Sequence, residues 1–197
     1  EVQLAEPMDF FAVTDHATFL GMVQAMVDPT QEVSRHPVAQ QLAAATTREE
    51  RRNAERAIRQ HVHGHEDGLR DTDVVRSAWL DTIEAANRHY TPGVFTTFIA
   101  YEYTASPEAQ NLHRNVIFRG NEAPDIPFSR LDSNDPEDMW AWLERHREAG
   151  IEGLAIPHNS NGSNGLMFIP ERFSGEPFNA AYADRRMLNE PLVEISQ

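Results

Sequence analysis

Three apolar runs in this chain end abruptly in a group that binds metals or moves protons. They are Phe11-Ala-Val-Thr-Asp15-His16, Phe98-Ile-Ala-Tyr-Glu102-Tyr-Thr and Leu154-Ala-Ile-Pro-His158-Asn-Ser-Asn. In a fourth segment, Asn111-Leu-His113-Arg-Asn-Val-Ile-Phe, the imidazole comes just before the run. A short apolar run reads as a parallel strand buried on both faces. The carboxyl ends of such strands open onto the face where α/β folds keep their sites. Strands ending together would aim histidine and glutamate at one point, which builds a metal centre from nitrogen and oxygen donors without thiolate. The imidazoles of His16, His113 and His158 and the carboxylate of Glu102 are therefore expected in one pocket.

Each residue also has a plainer explanation. Asp15 suits a turn cap as well as a site, with His16 on the surface. Glu102 follows a strongly apolar stretch, where a carboxylate is rarely buried without a partner, and an arginine would serve. His113 alone fits a hydrogen-bonded core histidine. His158 precedes Asn159, Ser160, Asn161, Gly162 and Ser163, which can offer amides and hydroxyls to an oxyanion but are also ordinary turn residues. His61, His63 and His65 alternate, a spacing that shares a face only on a strand. They follow a helical Arg/Glu stretch and precede Glu66-Asp67-Gly68, so they are expected on or beside a helical excursion, away from the pocket. His36, His89 and His146 lack a strand-end setting. Trp79, Trp140 and Trp142 read as core, and Ser160 and Ser163 lack a nucleophile-elbow pattern.

Composition narrows the chemistry. The chain has 197 residues and a net charge of -14, which argues against a phosphate-backbone partner, so no nucleic acid is expected. All 17 basic residues are arginine, so Schiff-base and P-loop lysines are excluded. There is no cysteine, which removes thiol catalysis, thiolate ligands and disulfides. No apolar run approaches the ~18 residues of a membrane span, so no membrane partner is expected. The compartment stays open.

The elements that must position these groups follow from pattern. A strand is expected over Asp9–Thr14 and a mainly helical excursion over about residues 17–90, all within a single domain. In it, Arg48–Arg59 reads as a solvated helix face. Asp71-Thr72-Asp73 offers caps to a helix whose Val75, Trp79, Ile83 and Ala86 recur at helical spacing. Thr91-Pro-Gly93 breaks it. Val94–Tyr101 and Leu112–Arg119 read as strands, and Asn121–Asp132 as a proline-bearing loop. Asp135 caps the next helix, with Pro136 in its first turn and Glu137 and Asp138 at its positive end. Met139, Trp142, Leu143 and His146 form its inner stripe and Gly150 stops it. Ile151–Pro157 is a strand, Asn159–Gly165 a polar loop, Phe168–Tyr182 irregular, and Leu192–Ile195 a last strand. This order points to α/β with a mainly parallel sheet.

The motifs resemble a known family. Val13-Thr14-Asp15-His16 resembles the second motif of the PHP superfamily, the polymerase and histidinol phosphatase metallohydrolases. Phe95-Thr-Thr-Phe-Ile-Ala-Tyr-Glu102-Tyr-Thr, Asn111-Leu-His-Arg-Asn-Val-Ile-Phe118 and Pro157-His-Asn-Ser-Asn-Gly-Ser-Asn-Gly-Leu-Met167 resemble its DUF3604 branch. The resemblance covers most of the chain, least so from Ala17 to about Val74. It implies a distorted (β/α)7 barrel holding up to three metal ions at its strand ends. It further implies that His16, Glu102, His113 and His158 are ligands, with Glu102 bridging and Asp15 a weaker contributor. The family's opening His-x-His strand is expected upstream of Glu1 and its closing Asp-x-His strand beyond Gln197. The chain thus reads as the middle of such a barrel, with a helical insertion, and as a poor enzyme by itself.

The function expected on this basis is metal-dependent hydrolysis of a phosphoester or related ester by metal-activated water. Zinc, manganese or iron all suit the donors. A small anionic substrate would be held by Arg114, Asn159 and Asn161. Two other readings stay open: a truncated or degenerate domain that binds metal weakly, and a small-ligand module built on the Asn159–Asn164 loop.

Overall fold

The computed structural model of the protein describes residues 8–63 and 69–195. Strand β1 (Phe10–Ala12) leads into helices α1 (Met22–Val27), α2 (Pro37–Ala44), α3 (Arg48–His63) and α4 (Thr72–His89). Then come β2 (Thr96–Tyr103), β3 (Arg114–Phe118), α5 (Pro136–Glu148), β4 (Gly153–Pro157) and α6 (Ala180–Asn189). The helical excursion expected between residues 17 and 90 is present as α1–α4 with short 3-10 turns at Ala17–Phe19 and Glu32–Arg35.

The chain divides into two compact units, Phe19–Trp79 and the remainder. The first packs α1 on α2 and α2 on α3. Its interior holds Met22, Met26, Val33, Ala39, Ala54, Ile58 and Trp79. Gly21 has φ +74°, and a Cβ there would stand 2.6 Å from the Ala78 Cβ, so backbone conformation and close packing both require glycine. Most of the Arg48–Arg59 face is solvated, as expected, with Ala54 and Ile58 turned inward. Glu50 accepts hydrogen bonds from the Thr47 and Thr46 amides at the start of α3, which pull its carboxyl down to about 2.

The second unit carries the sheet, ordered β1-β2-β3-β4. β1 runs parallel to β2, but β2–β3 and β3–β4 are antiparallel. This corrects the expected α/β barrel with mainly parallel strands: among the described residues the sheet is open, four-stranded and mixed. The reason lies in the connections. Residues 104–113, with one short turn at Pro107–Ala109, join β2 to β3. A parallel crossover needs a dozen or more residues, so the chain doubles back. Helix α5 sits between β3 and β4, yet it returns the chain antiparallel, so a strand–helix–strand order did not imply a parallel pair. Two local readings also change. Ala180–Asn189, partly within the stretch expected to be irregular, is α6, capped by the Asn179 side chain accepting from the Tyr182 amide at 2.9 Å. Leu192–Ile195 forms no strand, although the Glu194 amide donates to the Pro157 carbonyl at 3.0 Å.

The two faces of the sheet differ. Ile99, Tyr101, Tyr103, Val116, Phe118 and Ala155 alternate onto one face and are buried. Trp142 of α5 meets the rings of Tyr101, Phe118 and Phe128 at 5.9–6.3 Å. Met139, Trp140 and Leu143 complete that layer. The other face carries half-buried Phe98, Asn115, Ile117, Leu154 and Ile156, and it leads to the candidate site. Asp135 caps α5 as expected, accepting from the Glu137 amide at 2.8 Å. Asp135→Ala should therefore cost about 1 kcal/mol, read as a lower urea midpoint at unchanged slope. An unchanged midpoint would show that Pro136 alone sets the start of this helix.

Candidate metal and catalytic site

Strand register brings the site together. Glu102 pairs with Asn115, which pairs with Ile156. Two residues toward one edge of the sheet, alternation places Thr104, His113 and His158 on the same face as Glu102. The His158 amide donates to the His113 carbonyl at 3.0 Å, continuing the β3–β4 ladder past its last named pair. His16 forms an isolated parallel bridge with Glu102, and the Glu102 amide donates to the Asp15 carbonyl at 2.8 Å. Because β3 runs the other way, its amino end lies at the same edge as the carboxyl ends of β1, β2 and β4. That is why His113 comes before its apolar run while the others come after.

Glu102 is the hub. Its Oε1 lies 3.0 Å from His113 Nδ1 and 3.2 Å from His16 Nδ1, and its Oε2 lies 3.8 Å from His158 Nε2. The Thr104 hydroxyl donates to Oε1 at 2.9 Å and stands 2.7 Å from His16 Nδ1. Burial alone pushes the Glu102 carboxyl up, but hydrogen bonds from His113 and His16 more than offset this and hold it below the usual carboxylate range. The hydrogen bond to Glu102 correspondingly raises the His16 imidazole above its ordinary value, while Arg130 and burial oppose the rise.

The second ring nitrogens of His158 and His113 are also fixed. His158 Nδ1 lies 2.6 Å from Glu194 Oε2, and the same oxygen accepts from the Asn159 amide at 2.8 Å. His113 Nε2 lies 3.0 Å from the Ser106 hydroxyl. The Asn159–Gly165 loop is held from below: the Asn111 amide donates to the Gly162 carbonyl at 3.0 Å. Asn159 and Asn164 take positive φ, which asparagine tolerates.

The structure thus gathers His16, Glu102, His113 and His158, as the sequence led one to expect. Asp15 contributes its carbonyl, and its side chain is exposed. Asn159 offers its amide to Glu194, and Asn161 is exposed. Arg114 does not reach this edge. It alternates onto the opposite face and is buried, with Nε 2.9 Å from Glu190 Oε1. The charge of Arg130 reaches His16. His61 and His63 lie on α3 rather than on a strand, with the His61 ring 4.9 Å from that of His36. His65 lies outside the described residues. Sequence reasoning missed Thr104, Ser106, Arg130 and Glu194. Glu194 carried a signal, a carboxylate inside the apolar run Leu192–Ile195, the same signature that singled out Glu102.

Among the described residues, no group of three or more histidine or acidic side chains converges on a point that holds a metal ion. The carboxylate hydrogen-bonds to the His16 and His113 imidazoles instead, and His158 Nε2 stands 3.8 Å from it. The donors nevertheless fit such an ion in kind. The 3.0 and 3.2 Å separations around Oε1 are ordinary hydrogen-bond lengths, and a histidine–carboxylate set is of the kind that binds zinc, manganese or iron. His158 is backed by a carboxylate on its second nitrogen, the arrangement that orients metal-binding histidines. Neither a curated protein nor a solved structure matches this chain. The family of proteins of unknown function described as DUF3604 matches residues 1–197, and the chain belongs to it.

Proposed function

We propose that this protein is a metal-dependent hydrolase of a phosphoester or related ester, a reading in keeping with the PHP-like motifs at its strand ends. The observation that carries it is the delivery of three imidazoles to one buried carboxylate at a single sheet edge. His16, Glu102, His113 and His158 would hold a divalent ion: zinc, manganese or iron. Such an ion supplies activation of water and polarisation of the ester oxygen. Glu194 fixes the His158 ring and keeps Nε2 turned toward Glu102. Ser106 does the same for His113, leaving Nδ1 beside the carboxylate. Arg130 adds positive charge beside His16, and the Asn159–Asn161 loop offers polar groups to the substrate anion.

A second reading, a non-catalytic domain whose Glu102 is only a hydrogen-bond hub, is favoured by one observation: Oε1 already has Thr104, His16 and His113 around it. The deciding experiment strips the protein with chelator, then titrates zinc or manganese by calorimetry. It follows hydrolysis of p-nitrophenyl phosphate and bis(p-nitrophenyl) phosphate in parallel. Saturable binding with turnover that chelator abolishes supports the hydrolase. Affinity weaker than about 1 mM, with no turnover, supports the hub and defeats the proposal.

Glu194→Gln separates the roles further. It should lower metal affinity about 10–100-fold by loosening His158, while the metal-free melting temperature changes little. Competitive zinc titration reads the effect, and unaltered affinity would remove Glu194 from the site.

A further inference from the structure

The loop that follows His158 contains two Asn-Gly dipeptides, Asn161-Gly162 and Asn164-Gly165. All four residues are exposed, yet the fold holds the two pairs differently. Asn-Gly is the dipeptide in which an asparagine side chain reacts most readily with its own backbone, because glycine has no Cβ to hinder approach to its nitrogen.

Gly162 is clamped. Its amide donates to the Asn159 carbonyl at 3.1 Å, and its carbonyl accepts from the Asn111 amide at 3.0 Å. A Cβ there would strike the Asn111 side chain, so this peptide has little room to shift. Gly165 is free. Its amide and the Asn164 side chain make no hydrogen bond among the described residues. Apart from its chain neighbours, no atom lies within 4 Å of where a Gly165 Cβ would stand. Asn164 and Gly165 form the corner of a turn closed by the Leu166 amide on the Ser163 carbonyl at 3.0 Å, with φ +51° and +85°. Asparagine and glycine are the residues that take such values most easily. Ser163 is buried and anchors the turn, its hydroxyl donating to the Ser160 carbonyl at 2.7 Å, which leaves the corner standing out.

We propose that Asn164 is a site of spontaneous covalent modification, deamidated through its own backbone, and that the fold protects Asn161. The Gly165 amide gives its proton to hydroxide, and its nitrogen attacks Asn164 Cγ. The new C–N bond closes a five-membered succinimide. The bond from Cγ to Nδ2 breaks, and Nδ2 leaves as ammonia after taking a proton from water, which returns the hydroxide. Water then opens the ring at either carbonyl, giving aspartate or isoaspartate, and the new carboxyl group ionises. Nothing is oxidised or reduced, and the co-reactant is water. Gly162 must first give up its hydrogen bond to Asn159 before it can follow the same course. Each conversion adds a negative charge to the loop whose Asn159 amide holds Glu194. The proposal is independent of the metal reading.

The test incubates the folded, metal-free protein in mildly alkaline buffer, digests it, and reads both asparagines by tandem mass spectrometry. Labelling with an isoaspartyl methyltransferase counts the isoaspartate formed. Asn164 should convert at least about fivefold faster than Asn161, the rate equivalent of the hydrogen bond that Gly162 must give up. A parallel incubation in guanidinium chloride removes the fold, and there the two rates should approach each other, because both asparagines precede glycine. Two results each overturn the proposal. One is conversion of Asn161 in the folded protein as fast as that of Asn164, or faster. The other is an Asn164 that stays intact in the folded protein over a time in which the unfolded chain converts.

Discussion

Replacing Glu190 with alanine should destabilise the protein by about 3–5 kcal/mol, a large part of the roughly 5–15 kcal/mol that holds a domain folded. The Glu190 carboxylate is almost wholly enclosed and accepts from Arg114 Nε at 2.9 Å, Trp140 Nε1 at 2.9 Å and Arg186 Nε at 3.1 Å. It ties β3 to α5 and α6 at once. Without it, Arg114 keeps the Leu112 carbonyl but carries an uncompensated charge in the interior, where the side chain is 3% exposed. The indole of Trp140 loses its acceptor as well. Most of the expected loss therefore comes from the stranded arginine rather than from the value of the ion pair itself. It follows that removing Arg114 together with Glu190 should restore part of the stability, with Arg186 keeping the Met167 carbonyl. Arg114→Met combined with Glu190→Leu should recover at least half of what Glu190→Ala loses, because a buried pair replaced by apolar groups of similar size is often neutral or better. Urea unfolding of the two variants measures this. A loss below about 1 kcal/mol for Glu190→Ala, or a double variant no better than the single one, would show that water or a rearranged carbonyl already satisfies Arg114.

The same residue shows where sequence reasoning stops. Arg114 sits next to His113 in the chain, and adjacency suggested a shared role with substrate. On a strand, however, neighbours face opposite ways, so the two serve different sides of the sheet. The convergence of His16, Glu102, His113 and His158 was legible because each borders an apolar run, three at its carboxyl end and His113 at its amino end, and those ends share one edge. Strand direction was less legible. The displaced His113 was its visible trace, since an imidazole before the run belongs to this edge only if the strand points the other way. The short β2–β3 connection said the same in terms of reach. The second-layer groups were harder still. Thr104 and Ser106 are unremarkable letters, and their function comes from hydrogen bonds to His16, Glu102 and His113 that only coordinates reveal.

Glu102→Gln should have the largest effect on function. It keeps the side chain's shape and removes its charge, so it tests charge rather than packing. If Glu102 binds a divalent ion, the variant should lose more than about 100-fold in metal affinity, since even the outer partners of metal ligands are worth about 10–100-fold. Any metal-dependent hydrolysis should fall with it. The metal-free protein should lose stability as well, because the hydrogen bonds from His113 and His16 favour the charged carboxylate by more than burial disfavours it. Calorimetric metal titration and thermal unfolding of the same two samples give both readouts. Lost affinity in a variant that still folds supports the metal site. Unchanged affinity with a lowered melting temperature would reduce the cluster to a structural hub and end the hydrolase proposal.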